Sequence, residues 1–387
     1  MFMLEVVATR ARLEQLEAEW NALADRLGSP LLRHEWFVET ARAFSPTSSL
    51  AVHIVRDASG VRAIAPLVLQ RQDGVMRLKM LGSENYEPEA FLYDDVDALE
   101  LVCATVARLR QPLLMLRLDA GARELPLLRG AQRGRGLAVV RAGSSRTYAC
   151  PIHTPDWTAF QATMSSGRRK ELERKRRKLE QLGAVSFEAL TPDPAAWDAP
   201  YGEFVDLEGS GWKGRQSSAI RQDRPAFNFH LDYGRDLARR GMLRLFCLRL
   251  DGRLIAAQYH VQHAGKLWEL KIAYDEAFGR YSPGALLTHE ILRYACGEGL
   301  HGLEHLGLAE DWQTRWPTQE GVYSTLRIYP ATPRGAYALV LDSFKFLRKE
   351  ARPARGQASP EAPEAPDATA PADAAITGVR SAAALRT

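Results

Sequence analysis

Arg280, Ser282, Pro283, Gly284 and Ala285 stand together in the stretch GRYSPGALLTHEILRYACGEG, Gly279 to Gly299, where an apolar run that reads as a strand gives way to one that reads as a helix. A helix start offers unpaired backbone N–H groups and a partial positive charge, so it attracts anions. Pro283 suits that first turn, where its missing N–H is not needed. Gly284 lets a ligand approach the backbone closely. Arg280 can add a charged fork, and Ser282 either a capping oxygen or a hydroxyl donor. Spacing alone leaves two readings open: a seat for a phosphate, or a plain helix start with a Ser cap. The turn is neither G-x-x-x-x-G-K-S/T nor G-x-G-x-x-G.

Two further stretches carry chemistry-bearing groups. SGRRKELERKRRKLEQLG holds Arg168, Arg169, Lys170, Arg174, Lys175, Arg176, Arg177 and Lys178 against the acids Glu171 and Glu173. Leu172, Leu179 and Leu182 mark one buried edge, which makes it a helix with a broad cationic face. That face is either solvated, with i,i+4 pairs of Glu171 with Lys175 and Glu173 with Arg177, or it attracts a polyanion. No aromatic residues interleave with the cations, so base stacking lacks support. LEGSGWKGRQSSAI places Glu208, Trp212 and Lys213 in or beside a loop rich in Gly and Ser. Such a loop beside a sheet is a natural lip for a substrate cleft, or simply holds a structural Trp and a surface Lys.

Other chemistries find no footing. His260 and His263, three apart on an expected strand, point to opposite faces, and His289-Glu290 lacks the second His of H-E-x-x-H, so no metal site is expected. No G-x-S-x-G elbow occurs. Cys103, Cys150, Cys247 and Cys296 are far apart and read as reduced, buried thiols.

The elements that must position these groups form two similar halves. Leu13, Leu16, Trp20, Leu23 and Leu27 alternate spacings of three and four, one face of a helix. LAVHIVRDASGVRAIAPLVLQ reads as strand, turn and strand, VMRLKML as a third strand, DVDALELVCATVARLR as a helix and LLMLRL as a strand. In the second half AWDAPYGEFVDLEGSGW and PAFNFHLDYGRDLARRG read as helices. LRLFCLRLDGRLIAAQYHVQ is again strand, turn and strand, followed by KLWELKIAY, a helix and GLEHLGL. The recurring order predicts an α/β (α+β) fold of tandem units, 1–150 and 151–351, with the boundary near Cys150–Pro155. From Arg352 the chain is rich in Pro, Ala and acids and reads as a disordered tail, 352–387. The whole, 387 residues with 46% apolar and 25% charged residues and net charge +4, is that of an ordinary globular protein. No run approaches the ~20 apolar residues of a membrane span, so a cytoplasmic protein is expected.

The second half resembles the GNAT-fold acetyltransferases, and more narrowly the CelD/BcsL type tied by name to bacterial cellulose and exopolysaccharide synthesis, relatives of the Fem peptidoglycan aminoacyltransferases. The resemblance rests on the basic helix followed by VSFEAL, on LEGSGWKGRQSSAI, IAAQYHV, KIAYDEAFGRYSPGALL and DWQTRW. It is weaker in the first half, on PLLRHEWF, the hairpin with IAPL, and LGSENYEP. Two positions depart from the family pattern: Gln313 stands where a Lys is usual, and His305 where an apolar residue is usual. LGSENYEP takes the place of RYSPG in the first half, so a second CoA site is not expected there.

The resemblance implies two GNAT-like units, the first degenerate, each a mixed, mostly antiparallel sheet flanked by helices. It also implies an acetyl-CoA or other acyl-CoA co-substrate, no metal, and a sugar- or amine-bearing acceptor. LWELKIAY would face the thioester, and Arg280, Ser282, Pro283, Gly284 and Ala285 would line the pyrophosphate. Glu269 or Asp275 would be the base, and Tyr281 the proton donor to the leaving thiolate. Glu269 and Lys271 would share one face of their strand, and Trp268 and Tyr274 the other. Glu208, Trp212, Lys213, Gln258, Lys271, Asp311 and Trp316 would stand on the acceptor side. The basic helix would meet CoA phosphates, a nucleotide-linked sugar or, if the donor is aminoacyl-tRNA as in the Fem enzymes, tRNA. No DNA is expected. A non-catalytic accessory protein of exopolysaccharide synthesis is the remaining alternative.

Overall fold

The computed structural model describes residues 2–45, 49–72, 74–211 and 219–350. Trp212, Lys213 and the tail from Arg352 lie outside them. The first half runs β1 (Met3–Val7), α1 (Arg10–Glu14), α2 (Glu17–Leu27), α3 (His34–Phe44), β2 (Ser49–Asp57), β3 (Gly60–Gln72), β4 (Val75–Met80), β5 (Leu92–Tyr93), α4 (Val96–Arg108), β6 (Leu113–Asp119), α5 (Glu124–Ala131) and β7 (Gly136–Pro151). The second runs α6 (Trp157–Ala162), α7 (Ser166–Glu180), β8 (Val185–Leu190), α8 (Asp198–Ser210), α9 (Arg224–Arg239), β9 (Leu243–Leu250), β10 (Arg253–His263), β11 (Lys266–Tyr274), α10 (Pro283–Gly297), β12 (Gly302–His305), β13 (Gln319–Pro330) and α11 (Pro333–Glu350).

All but β5 line up in one path, β1-β2-β3-β4-β6-β13-β7-β12-β11-β10-β9-β8. Read from either end, the path gives four antiparallel strands and then a fifth parallel to the fourth: β6 beside β4, and β12 beside β11. The closing strands are exchanged. β7, the last strand of the first half, pairs with β12, and β13 pairs with β6. β7 and β13 then pair along most of their length and join the two half-sheets.

Spacing explains the helices. Leu13, Leu16, Trp20 and Leu23 are buried, and the Trp20 indole donates to the Leu32 carbonyl at 2.9 Å. Leu172 and Leu179 of α7 are buried too, but Leu182 lies past the helix end and is exposed, because the helix stops at Glu180 before its periodicity can reach that leucine. One sheet face packs Trp197, Tyr201, Phe204, Phe229, Tyr233 and Tyr259 under α8 and α9. Trp36 of α3 meets Phe229 and Tyr233 edge-on, with ring centroids 5.1 and 5.3 Å apart, so the halves share a core. Removing an aromatic from such a core costs about 3–5 kcal/mol. The opposite face of the second half packs under α6, α7 and α10. All four cysteines are buried and unpaired, and burial pushes the Cys150 and Cys247 thiols up to about 12, so neither is poised as a nucleophile.

Candidate active site

The ladder between β11 and β12 ends at Glu269 and His305. At the same level β11 bulges: Glu269, Leu270 and Lys271 span the interval that Tyr259 and His260 span on β10. A bulge leaves one residue out of the ladder and re-aims its neighbours. Glu269 opposes His260, and Lys271 opposes Tyr259. Directly opposed residues share a face, so Glu269 faces the α10 side and Lys271 the side of α8 and α9. The sharing of one face by Glu269 and Lys271, expected from a period of two, is corrected by the extra residue Leu270. Trp268 and Tyr274 are separated in the same way, the first packing on the aromatic core and the second under α10.

The 3-10 turn Glu276–Tyr281 and α10 follow β11 directly. Ser282 sits at the N-cap of α10 in the left-handed region, φ 52° and ψ 55°, and makes no side-chain capping bond. The Ser cap that spacing allowed is therefore absent. A non-glycine residue in this region costs about 1–3 kcal/mol and concentrates at ligand sites. Pro283 occupies the first turn, as expected. Among the described residues, a Cβ on Gly284 would meet only the Tyr274 ring, at 3.8 Å. The Arg280 guanidinium lies 4.7 Å over the Tyr281 ring, and the Lys175 ammonium of α7 donates to the Arg280 carbonyl at 2.5 Å. Ala285 packs against the cluster that holds buried Tyr281.

A buried polar chain runs from this helix to the fork. The Thr288 hydroxyl donates to the Gly284 carbonyl at 3.1 Å, and the Gln258 amide donates to Thr288 at 2.9 Å. His260 Nε2 is 3.0 Å from Gln258 Oε1. His305 Nδ1 is 3.3 Å from Glu269 Oε1, and the Trp312 ring stands edge-on to His305 at 5.4 Å. Burial pushes His260 down to about 4, so it is neutral near pH 7. Gln258, expected on the acceptor side, belongs to this chain beneath α10.

On the other side of the fork stand residues from the first half that sequence reasoning left unused. Glu87 accepts the Gly307 N–H at 2.9 Å, just past the end of β12. Fully buried Arg117 donates to the Gly307 and Tyr86 carbonyls at 2.6 and 2.5 Å and lies 4.9 Å over the Tyr323 ring. Burial pushes the Glu87 carboxyl up to about 7, against the pull of the Gly307 N–H, Lys271 and Arg117. These contacts fix the chain just past the end of β12. Acids in the apolar surroundings of LGSENYEPEAF were the available signal. A charge inside a strand-to-strand connection needs a partner, and the partner here comes from sequence positions far away.

The equivalent fork in the first half, between β4 and β6, is filled. The Glu89 N–H donates to the Arg117 carbonyl at 2.8 Å, and its carboxylate accepts the Leu116 N–H at 2.8 Å. The loop thus takes up the strand edge that β4 leaves.

The remaining expected residues fall as follows. Asp275 caps the 3-10 turn by accepting the Ala277 N–H at 2.9 Å, and its other oxygen pairs with Arg253 at 2.5 Å. Buried Glu208 accepts the Ile220 N–H at 2.8 Å, tying the end of α8 to the loop after it. Asp311 is exposed at the start of a 3-10 turn, and Trp316 is buried beside α7 under the Arg168 guanidinium at 4.7 Å. Gln313 takes part in a capping box, accepting the Glu310 N–H at 2.8 Å. No group of His, Cys, Asp and Glu that could hold a metal occurs among the described residues, and no helix among them is long and apolar enough to cross a membrane.

Residues 166–314 match the family model of the acetyltransferase (GNAT) domain. No curated protein matches the sequence. Among solved structures, FemX is similar over 88% of this chain and 100% of its own, with a TM-score of 0.59 and 12% identity. The C-terminal DUF2156 domain of an Agrobacterium fabrum protein is similar over 87% of this chain and 97% of its own, at 0.53 and 13%. L-PGS from Bacillus licheniformis covers 85% and 96%, at 0.52 and 11%. At these identities the likeness is one of fold. Residues 166–314 thus carry a GNAT-type acetyltransferase domain, set in one sheet whose two halves repeat the same strand order.

Proposed function

We propose that the protein transfers an acyl group from acyl-CoA to an amine or hydroxyl of a polysaccharide or cell-envelope precursor. The observation that carries this reading is the meeting of three features at one place: the bulge at Leu270, the end of the β11–β12 ladder, and the uncapped start of α10. The end of the ladder beside the bulge is the place this reading gives to a pantetheine arm and thioester carbonyl. A helix start without a side-chain cap can hold a pyrophosphate through its backbone N–H groups. Gly284 leaves room for that approach, and Arg280 adds its charge.

Acyl transfer then needs positioning, polarisation of the carbonyl and removal of one proton. Glu269 stands at the fork with His305 at 3.3 Å and takes the proton from the attacking amine or hydroxyl. The new bond to the acyl carbon forms, the carbon–sulfur bond breaks, and the leaving thiolate takes its proton from Tyr281. Asp275 is committed to its turn and to Arg253, which favours Glu269 of the two carboxyls. Lys271 and Glu87 bound the far side, where the acceptor approaches.

Titration calorimetry with acetyl-CoA, followed by thiol release with a panel of amino sugars and envelope precursors, tests the reading. Heat with acetyl-CoA and thiol release on acceptor addition are expected. Salt-sensitive binding of aminoacyl-tRNA without CoA binding would move the donor to the Fem type. Absence of both would leave an accessory protein.

A further inference from the structure

A cavity of about 600 Å³ lies between the start of α7 and the segment after the 3-10 turn Asp311–Arg315. Arg168, Arg174 and Arg315 line it together with Ser165, Thr314 and Trp316, against one acid, Glu171. Arg168 is more than nine-tenths buried and donates to Glu171 at 2.9 Å, yet its Nε has no partner. The indole N–H of buried Trp316 has none either. Arg174 and Arg315 make no ion pair among the described residues. Burial, and Arg315 nearby, pull the Arg168 guanidinium below its ordinary value, opposed only by Glu171. Three guanidiniums around one opening, with a single acid, form a site that is short of negative charge.

We infer that this cavity binds a phosphate-bearing group of a substrate. Arginine forks and hydroxyls match phosphate oxygens, and the cavity sets three guanidiniums against one carboxylate. The cavity is separate from the helix start at Gly284 but belongs to the same neighbourhood: Lys175, next to Arg174 on α7, holds the Arg280 carbonyl, and Trp316 shares an apolar cluster with Tyr281. Its occupant is either a phosphate of the CoA nucleotide or a phosphate of the acceptor. The choice between them, but not the anion site itself, rests on the transferase reading.

The test uses the full chain and inorganic pyrophosphate in the Gly284→Val background, where the helix start is obstructed. Pyrophosphate should still bind, and adding Arg174→Gln and Arg315→Gln should weaken it about tenfold or more, with a smaller difference as salt rises. Both arginines are exposed enough for the fold to survive, and Arg174→Lys with Arg315→Lys should keep part of the affinity. In the parent background, CoA and 3′-dephospho-CoA identify the source. If the double Gln variant loses the parent's preference for CoA, the CoA phosphate fills the cavity. If it instead loses affinity for UDP-N-acetylglucosamine with the CoA preference unchanged, an acceptor phosphate does. Pyrophosphate bound equally with and without the arginines, or not bound in the Gly284→Val background, overturns the inference. Failure of acetyl-CoA to bind the parent would instead strike the transferase reading and leave the pyrophosphate result standing.

Discussion

The two halves build the same fork and finish it differently. In the first half the connection after β4 folds back: Glu89 fills the edge of β6, and helix α4 is capped by Asp95, whose carboxylate accepts the Ala98 N–H at 2.8 Å. In the second half the connection after β11 is the 3-10 turn Glu276–Tyr281, and helix α10 begins at a left-handed Ser282 with no side-chain cap. One helix start is satisfied by an acid of its own chain, and the other has no side-chain cap; the proposed function gives that second start to an anion. A shared topology therefore says little about which unit works. What the first half does contribute is support, since Glu87 and Arg117 hold the corner at Gly307 just past the end of β12.

Replacing Glu269 by Gln should lower turnover about 10²–10⁴-fold while acetyl-CoA affinity is kept. Glu89→Gln, the change at the filled fork, should leave turnover unchanged. Equal losses from both, in steady-state kinetics, would erase the distinction between the halves. Arg280→Ala should weaken acetyl-CoA by about one to two decades, the worth of a charge-assisted contact of roughly 1.5–3 kcal/mol, read by calorimetry.

The caps give a direct contrast in stability. Asp95→Ala should cost about 1 kcal/mol, since it loses the cap and an ion pair with Arg62. Ser282→Gly should cost nothing, or stabilise by removing a left-handed side chain. Denaturant midpoints check both, and a matching loss at Ser282 would show a cap that the geometry lacks.

A smaller effect follows from pH. Burial pushes Glu89 up to about 8 and Glu87 up to about 7. The folded state keeps these protons where the unfolded chain has released them, so their contribution is full below about pH 4 and is lost as pH rises through the folded values. Glu89→Gln should therefore gain on the parent as pH rises, by about 2–4 °C in melting temperature between roughly pH 5 and pH 8.5. A constant gap across that range would mean that Glu89 ionises normally.

Much of this was legible in the residues. The apolar periods of three and four marked α2 and α7, and the Asp-Gly and Ser-Gly turns marked the hairpins, because these signals are local. The turn at Gly284 stood out through Pro and Gly beside an Arg. The strand exchange of β7 and β13 was not legible, since nothing within either strand names a partner over 150 residues away. Nor was the bulge at Leu270, whose apolar residue fits the strand pattern whether or not it is paired. Its consequence was to set Glu269 and Lys271 on opposite faces. His305 stood out as a polar residue in an apolar strand, but its partner Glu269 became visible only when the parallel pairing of β12 with β11 was known. Glu87 could not be placed at all without the exchange that brings the halves together.

The most direct measurement is the binding of acetyl-CoA to the parent and to Gly284→Val by titration calorimetry, with circular dichroism on both. The Cβ at this position meets only an ordinary contact with Tyr274, so the variant should fold as the parent does. A donor seat at the start of α10 predicts saturable binding by the parent and a loss of about two decades or more in the variant. A folded variant that binds acetyl-CoA as tightly as the parent would contradict it.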